Sequence, residues 1–372
     1  MYKYDVCIIA FVDIDTDART LNIAKTYAKN GFSVVVVGLG DKDDIIKDGA
    51  NGIHFYKISV KKFDRTWQRW LDFYRKSTIE INEMPAKLII AEDVYSLPMA
   101  NEASKFHKAK MIYDSREIYS QIGPLAGKKI KQQVIKLMEK RYIKRVETII
   151  VTAERDADYL KEHLSDKIPY ITVKNYPPYK EKIHSGSIRK QLNIPDNKKI
   201  VLYQGMLLKG RGIEKTIDAV AMLDDIVFLI LGDGPLKKSL TEYVNTNNLK
   251  EKILMPGSIP YEDLHKWTCQ ADVGVSLIEP ISISYKHALP NKIFEYTMAR
   301  IPSLCTDLPA QKDVIDKYNN GIYVSHTAKS SEIAEAISLL ITNKEKYAEN
   351  CERASHTLNF ENQEELLLQL IK

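Results

Sequence analysis

The segment 288–296, Ala-Leu-Pro-Asn-Lys-Ile-Phe-Glu-Tyr, places an acid about one turn into a helix behind a start signal. A helix that opens at Asn291 presents unpaired backbone N–H groups and the positive end of its dipole, which suit a diphosphate. Lys292 adds a positive charge, and Glu295 can accept hydrogen bonds from ribose hydroxyls. The same pattern is also typical of a solvated Glu on an amphipathic helix. The choice between a ribose contact and a solvated side chain therefore depends on the other motifs of the chain.

A second candidate is the stretch 205–212, Gly-Met-Leu-Leu-Lys-Gly-Arg-Gly, between a predicted strand and a predicted helix. Gly205 lets the backbone approach a ligand closely, and Lys209 with Arg211 can neutralise a diphosphate. The GK[ST] ending of a Walker loop is absent, and a tight turn with exposed cations is the alternative. Gly234 lies in Leu-Gly-Asp-Gly-Pro at 231–235, which taken alone indicates a turn.

Apolar runs alternate with helical patterns along the chain, and this rhythm predicts parallel sheets. A helix is predicted at 18–29, and a polar, proline-containing passage near 175–196 separates two sets of strands. We therefore predict an α/β fold of the GT-B type, with two Rossmann-like domains facing across a cleft. The predicted domains are 1–178 and 179–355, followed by a C-terminal helix at 356–372 that packs back on the first. The predicted strands are 6–11, 34–37, 88–91, 111–113 and 148–151, then 199–204, 227–231, 253–255, 273–277 and 302–305.

The composition excludes several function classes. The chain has 372 residues, of which 44% are hydrophobic and 28% charged, and a net charge of +5, which does not indicate nucleic-acid binding. The four cysteines are scattered without metal-ligand spacing, so we expect no metal site and a reduced, cytoplasmic protein. No run reaches the ~18 to 20 apolar residues of a membrane span. The apolar run near the start contains too few residues for the core of a signal peptide.

The order of motifs in the second half resembles the retaining GT-B glycosyltransferases of family 4, and the resemblance runs through nearly the whole chain. It implies a nucleotide-sugar domain at 179–355, with Glu295 on the ribose and basic loop residues on the diphosphate of a UDP- or GDP-sugar. It implies an acceptor domain at 1–178 and no cofactor, because cations and a helix terminus replace a metal. The motifs are 205–212, Leu-Gly-Asp-Gly-Pro at 231–235, Pro-Gly at 256–257, Ala-Asp-Val at 271–273, the 288–296 segment, and Ile-Pro at 301–302 with Asp-Leu-Pro at 307–309.

The chain departs from that family at two places in this half. The family's loop carries Arg just after its first glycine and Lys six residues after it, where this chain has Met206 and Arg211. Arg211 with Lys209 is therefore expected to supply the positive charge. The family often has Glu-x7-Glu, but His287 stands eight residues before Glu295. His287 either hydrogen-bonds a sugar hydroxyl or is a loop residue.

In the first half, the sequence Tyr-Asp-Ser-Arg-Glu at 113–117 resembles a Tyr-Asp-x-His-Glu motif of one branch of the family. Arg116, which replaces the histidine, can stabilise a departing diphosphate but cannot act as a base. Alternatively it pairs with Glu117 or Asp114 and shapes the loop.

Two further acids, Glu92 and Asp93, follow a buried strand, where they either orient or deprotonate an acceptor or cap a helix. Near the start, Asp17 is expected to open a helix and Arg19 to face the cleft.

Two basic and aromatic segments, 61–76 and 128–146, have the composition of helices that lie on a membrane surface. Trp67 and Trp70 mark the first, and Lys129 and Lys136 belong to the second. Each cation near an anionic leaflet is worth about 1 kcal/mol, although both apolar stripes could equally be core. The predicted stripe of the second segment is Ile130, Val134, Leu137, Met138, Tyr142 and Val146.

Together these features predict a bacterial, retaining, metal-independent glycosyltransferase of polysaccharide biosynthesis. Its expected partners are a UDP- or GDP-sugar, a lipid-linked or cell-surface glycan acceptor, and the anionic inner face of the cell membrane, but no nucleic acid. A non-catalytic scaffold of the same fold that serves another transferase is the alternative, motivated by Arg116 and His287. An epimerase or phosphorylase of this fold is a weaker third reading.

Overall fold

The computed structural model describes residues 2–42, 44–48, 52–61, 65–184 and 188–372. The chain divides into two units: the first is Met1–Lys174 with Gln363–Lys372, and the second is Asn175–Asn362. The boundary between the two units therefore lies between residues 174 and 175, whereas the sequence predicted it between residues 178 and 179. The C-terminal segment that belongs with the first unit begins at Gln363, where the sequence suggested 356.

Strands and helices alternate along most of the chain. The strands are β1 (Tyr4–Asp13), β2 (Val34–Leu39), β3 (Asp44–Asp48), β4 (Ile53–Ile58), β5 (Ala86–Ala91), β6 (Lys110–Ser115), β7 (Thr148–Val151), β8 (Tyr170–Thr172), β9 (Lys199–Gln204), β10 (Ile226–Leu231), β11 (Ile253–Gly257), β12 (Val273–Ser276), β13 (Ser303–Thr306) and β14 (Gly321–Val324). The helices are α1 (Ala18–Lys29), α2 (Thr66–Asn82), α3 (Leu97–His107), α4 (Lys129–Tyr142), α5 (Glu154–His163), α6 (Ile188–Gln191), α7 (Ile213–Ala221), α8 (Lys237–Thr246), α9 (Tyr261–Thr268), α10 (Ile283–Lys286), α11 (Asn291–Met298), α12 (Pro309–Tyr318), α13 (Ser330–Thr342), α14 (Lys344–Ser355) and α15 (Glu364–Leu368).

The first unit is built on one sheet, whose strand order in the described residues is β3-β4-β2-β1-β5-β6-β7-β8. Every neighbouring pair is parallel except β3 with β4. Near-continuous apolar runs such as Val6–Ala10 are fully buried, as expected for strands that are covered on both faces. Right-handed crossovers place α2, α3, α4 and α5 on one face and α1 on the other. The predicted Rossmann-like architecture is confirmed for this unit.

The entrance to α1 is fixed by charged residues. Asp17 caps the helix by accepting from the backbone N–H of Thr20, which is the predicted role of this residue. Arg19 was expected to face the cleft. Its side chain is buried, forms an ion pair with Asp114 at 2.7 Å and donates to the carbonyl of Val173 at 2.9 Å. Arg19 therefore joins α1 to β6 inside the fold.

The C-terminal segment 363–372 packs on α1 within the first unit. The hydroxyl of Tyr27 donates to the carbonyl of Leu367 at 2.8 Å, and Lys29 pairs with Glu364 at 2.5 Å. Leu367 itself is fully buried. The chain thus returns to the first unit after completing the second.

The second unit has a sheet in which the strand order of the described residues is β11-β10-β9-β12-β13-β14, with all pairs parallel. From β9 the chain moves outward through β10 and β11, and from β12 it moves outward in the opposite direction. The neighbours β9 and β12 therefore form a topological switch point, where open α/β sheets bind ligands beyond the carboxyl ends of their strands. The segments 205–212 and 277–290 follow these two strands.

Candidate functional site

The glycine loop 205–212 begins directly at the switch point. Gly205 has φ +125°, a conformation that side-chain-bearing residues rarely adopt. The loop packs backbone to backbone against the turn after β10, since a Cβ on Gly232 would lie 2.0 Å from the carbonyl oxygen of Gly205. A Cβ on Gly234 would lie 2.7 Å from that of Leu207. The glycines at 232 and 234 thus allow two turns to touch, and Gly234 contributes to the site by supporting the loop.

Helix α11 begins at Asn291, as its sequence predicts, with Pro290 before it in extended conformation. Its first backbone N–H groups lack intrahelical acceptors by geometry, and its dipole places partial positive charge at the same end. Asn291 is exposed there. The helix start and the glycine loop therefore lie at neighbouring strand ends of one switch point.

Glu295 is held in place by a hydrogen-bonded chain of side chains. Its carboxylate accepts from Nε2 of Gln204 at 2.5 Å, and the Gln204 carbonyl oxygen accepts from the hydroxyl of Thr268 at 2.8 Å. Burial raises the pKa of Glu295, while the Gln204 hydrogen bond and the charge of Lys292 oppose the rise. The sequence interpretation missed Gln204, although its position as the last residue of β9, just before Gly205, was a signal.

Next to this chain of side chains lies a small cavity of about 20 Å³. Its lining includes Gln204, Tyr261, Leu264, Thr268, Glu295 and Met298.

Two cations lie beside the loop, each over an aromatic ring. Nζ of Lys292 is 3.9 Å from the ring centroid of Tyr203, and the guanidinium carbon of Arg211 is 4.5 Å from that of Tyr285. Among the described residues, neither cation has a hydrogen-bond or ion-pair partner. Burial and then the charge of Arg211 lower the pKa of Lys292 to about 7. Two cations that have no ion-pair partner among the described residues, placed at a switch point, favour an anionic ligand.

Lys209 is placed differently. It is exposed, and in the described part of the chain it makes no hydrogen bond, ion pair or ring contact. Lys292, by contrast, approaches the start of the glycine loop, with Nζ 3.5 Å from the point where a Cβ would sit on Gly205. The structure thus brings Lys292 to the loop, where the sequence pointed to Lys209.

His287 ends the short helix α10. Its backbone N–H donates to the carbonyl of Ile283 at 3.1 Å, which is the geometry of a helix C-cap. Glu279, the nearest acid upstream, faces Lys215 at 3.5 Å. The loop-residue alternative for His287 therefore has a structural basis, and its contact with a sugar stays a prediction.

In the first unit, Arg116 lies in a buried cluster of charges. Its guanidinium donates to Asp17 at 2.6 Å, to Glu92 at 2.7 Å and to the hydroxyl of Thr20 at 2.8 Å. Asp114, one of the partners suggested by the sequence, belongs instead to Arg19. The guanidinium is thus committed to neighbours within its own unit.

Glu92 and Asp93 are adjacent but have different roles. Asp93 accepts from the backbone N–H of Ser96 at 2.6 Å and from that of Phe11 at 2.7 Å, so it stabilises the turn into α3 and ties it to β1. Glu92 is fully buried, and its Oε1 has no hydrogen-bond partner among the described residues. Burial raises the pKa of Glu92 to about 7, although Arg116 opposes this. Of the two, Glu92 is the one that retains a free acceptor.

Helix α4 differs from the predicted single stripe, because its apolar residues form two faces. Ile135, Met138 and Tyr142 pack on the core, whereas Ile130, Val134 and Leu137 are 83%, 59% and 56% exposed. Its acid, Glu139, is buried and accepts from the hydroxyl of Tyr113 at 2.8 Å. The outer face of α4 is therefore apolar and basic. Its basic residues include Lys129, Lys131, Lys136, Lys140 and Arg141.

In α2 the two tryptophans are separated. Trp67 is 56% exposed, whereas Trp70 packs against Tyr74 and donates its indole N–H to the carbonyl of Tyr95 at 2.9 Å. The core alternative thus holds for Trp70 but not for Trp67. Residues 62–64 of the predicted segment 61–76 lie outside the described residues. None of the described helices is long and apolar enough to cross a membrane.

Comparison with known proteins identifies the second unit. Residues 185–357 match the family model described as Glycosyl transferases group 1. This match covers most of the second unit. The glycine loop, the Gln204–Glu295 contact and the cations Arg211 and Lys292 all lie within it.

The curated relatives that the chain matches are named as glycosyltransferases. The chain is 26% identical over 152 residues to the putative teichuronic acid biosynthesis glycosyltransferase TuaC of Bacillus subtilis (strain 168), a match that covers 41% of this chain and 35% of the relative. It is 22% identical over 253 residues to the alpha-D-kanosaminyltransferase of Streptomyces kanamyceticus, covering 64% of this chain and 63% of the relative. The matches thus span about a third and somewhat under two thirds of these relatives.

Solved structures support the GT-B fold. Sucrose-phosphate synthase from Thermosynechococcus elongatus matches over 98% of both chains, with a TM-score of 0.80 and 16% identity. HepE from Anabaena, solved in complex with UDP-glucose, matches over 98% of both chains, with a TM-score of 0.77 and 16% identity. The two Rossmann-like units are therefore those of the GT-B fold, as predicted.

Proposed function

We propose that the chain is a retaining, metal-independent glycosyltransferase that moves a sugar from a UDP- or GDP-sugar to a lipid-linked or cell-surface glycan. The observation that carries this proposal is a pair of cations, Arg211 and Lys292, that have no ion-pair partner among the described residues and lie at the switch point of the unit that matches the group 1 family model. They lie beside a glycine loop and a helix N-terminus, and both features suit a diphosphate.

In this proposal each part of the second unit has one task. Glu295, oriented by Gln204, accepts hydrogen bonds from the ribose hydroxyls. Arg211 offers a bidentate fork to the diphosphate, and Lys292 offers a compact charge together with the N–H groups of α11. The same groups stabilise the charge that develops on the departing nucleoside diphosphate, so the leaving group needs no metal ion in this scheme.

In the first unit, Glu92 is the proposed acceptor base. A general base works best with a pKa near the working pH, and the pKa of Glu92 is raised to about 7 by burial.

Thermal stability in the presence of nucleotides tests the donor proposal. We expect UDP or GDP to raise the melting temperature, because a ligand at 100 times its Kd stabilises a protein by about 2.7 kcal/mol. Sugar forms of the better nucleotide then serve as donors in a transfer assay with lipid-linked glycan. Uridine and guanosine at equal concentration are the controls. A chain that neither nucleoside diphosphate stabilises would contradict the proposal.

The acceptor side of the proposal places the protein at the inner face of the cell membrane. The outer face of α4 combines Ile130, Val134 and Leu137 with basic residues and carries no exposed acid. Apolar side chains that enter the headgroup boundary and cations that face anionic lipids are the two components of surface binding. Trp67 is exposed on α2, which lies on the same face of the sheet.

Sedimentation with vesicles of 30% anionic lipid provides the test. We expect the triple variant Ile130→Ser, Val134→Ser and Leu137→Ser to bind at least about tenfold more weakly, since apolar burial contributes roughly 25 cal/mol per Å². Leu339→Ser, which removes an exposed leucine from the second unit, is the matched control. Equal binding of the triple variant and wild type would refute the role of α4, and binding to purely neutral vesicles would refute the role of its cations.

A further inference from the structure

The two cations of the donor site share an arrangement that the sequence did not indicate. Each is placed over a tyrosine of its own unit: Lys292 over Tyr203 at 3.9 Å, and Arg211 over Tyr285 at 4.5 Å. Both rings are nearly inaccessible to solvent, with 1% and 7% exposure. Buried rings that face half-buried cations can hold those cations in one position.

We propose that Tyr203 and Tyr285 are positioning residues, which hold Lys292 and Arg211 as a preorganised pair for the diphosphate of the donor. This inference rests on the proposed function and deepens it. In this proposal Lys292 of α11 takes the role of the arginine that the family has at the position of Met206. The ring of Tyr203, near the end of β9, fixes the position of Lys292.

The surroundings of Lys292 support this placement. Met206, which follows Gly205, offers no charge and is 62% exposed. A Cβ on Gly205 would lie 3.5 Å from Nζ of Lys292. The ammonium therefore lies next to space that a side chain at position 205 would fill. The hydroxyl of Tyr203 also donates to the carbonyl of Met206 at 2.8 Å. One residue therefore fixes both the loop backbone and the cation above it.

Arg211 has surroundings similar to those of Lys292. A Cβ on Gly210 would lie 2.7 Å from Ile281 and 3.3 Å from the ring of Tyr285, so the loop is pressed closely against the segment that carries the ring. The N–H of Glu279 donates to the carbonyl of Gly210 at 3.0 Å and joins the two segments. The ring of Tyr285 is thus packed directly against the loop that carries Arg211.

Each ring restricts the rotamers of its cation before a diphosphate binds. A free lysine or arginine side chain loses rotamer freedom when it binds phosphate, and preorganisation removes part of that cost. The ring also compensates a partly desolvated cation, while the ammonium retains donors for the phosphate on its other side. Loss of the ring should therefore weaken diphosphate binding and leave the base and ribose contacts intact.

Affinity measurements with phosphorylated and unphosphorylated ligands test the inference. Calorimetric Kd values are taken for UDP and GDP and, by ligand-observed NMR, for uridine and guanosine. Tyr203→Leu and Tyr285→Leu should each weaken the diphosphate about five- to twentyfold, and the nucleoside by less than about twofold. Tyr203→Phe and Tyr285→Phe retain the rings and should retain most of the affinity. Tyr323→Leu, which removes the ring under Lys312 elsewhere in the unit, is the control.

A double variant isolates the pair. In a Lys292→Met background, Tyr203→Leu should cost clearly less diphosphate affinity than in wild type, because the cation that it positions is absent and only the contact of its hydroxyl with the loop is lost. An equal loss for nucleoside and diphosphate, or a full loss in the Lys292→Met background, would show a structural effect and overturn the inference. Wild-type protein that binds no nucleoside diphosphate overturns the proposed function itself, and this inference with it. Wild-type binding with unaffected leucine variants overturns the inference alone.

Discussion

Glu295→Ala is expected to lower kcat/KM for the nucleotide-sugar donor by about 100-fold or more, equivalent to about 2.7 kcal/mol of transition-state binding. Hydrogen bonds to a charged acceptor contribute more than neutral ones, and Glu295 is proposed to accept from two ribose hydroxyls. The substitution also leaves Nε2 of Gln204 without its 2.5 Å acceptor. Steady-state kinetics with the donor that stabilises the wild-type chain provide the measurement.

A ligand without hydroxyls separates the ribose role from general damage. A 2′,3′-dideoxy nucleoside diphosphate should bind wild type and Glu295→Ala with similar affinity, because neither complex then contains the ribose contacts. Glu295→Gln keeps the side-chain shape without the charge and should fall between wild type and Glu295→Ala. Unchanged kinetics of Glu295→Ala with the true donor would disprove the ribose role.

The parts of this site that lie next to one another in sequence could be predicted. The start of α11 at Asn291 follows from Pro-Asn before an apolar helical pattern, and α1 spans the predicted residues 18–29. Both depend on local chemistry: the backbone groups at a helix start and the spacing of apolar residues. The alternation of strands and helices likewise predicted parallel sheets, because apolar strands without alternation have to be covered on both faces.

Contacts between distant segments could not be predicted in the same way. Sequence proximity to the glycine loop favoured Lys209, whereas the sheet brings Lys292 to that loop because β9 and β12 are neighbours in space. The contact of Gln204 with Glu295 arises from the same adjacency. A parallel sheet assembles its site from strand ends far apart in the chain, so the pairing depends on strand order.

Charge pairing inside the first unit shows the same limit. The sequence offered Asp114 or Glu117 to Arg116, but Asp114 binds Arg19, and Arg116 binds Asp17 and Glu92. The two apolar faces of α4 also become distinct only in the folded unit, where Ile135 and Met138 pack on the core and Ile130 is exposed. Which side of a helix is covered is decided by its neighbours in space, since periodicity shows only that a stripe exists.

The cluster around Arg116 predicts a large effect on stability. Arg116→Met removes the cation that lies 2.6 Å from Asp17 and 2.7 Å from Glu92, and leaves both carboxylates without it. Breaking a buried ion pair from one side costs about 3–5 kcal/mol, so we expect the free energy of unfolding of the first unit to fall by that amount at pH 8. Urea unfolding followed by tryptophan fluorescence in a Trp267→Phe background reports on this unit, because Trp67 and Trp70 belong to it and Trp267 belongs to the second unit.

The pH dependence gives this prediction a signature. The pKa of Glu92 is about 7 in the folded protein and 4.5 in its ordinary state, so the folded chain binds the proton more tightly and loses stability as pH rises through that window. Arg116 opposes this loss, and the cost of Arg116→Met should therefore be smaller at pH 5 than at pH 8. Adding Glu92→Gln, which removes the titrating carboxylate, should restore part of the stability at pH 8 and flatten the profile. An Arg116→Met protein as stable as wild type across this range, yet inactive in transfer, would instead assign the arginine to the reaction. The complete burial of Glu92 and the hydrogen bonds of the guanidinium to three neighbours both favour the stability effect.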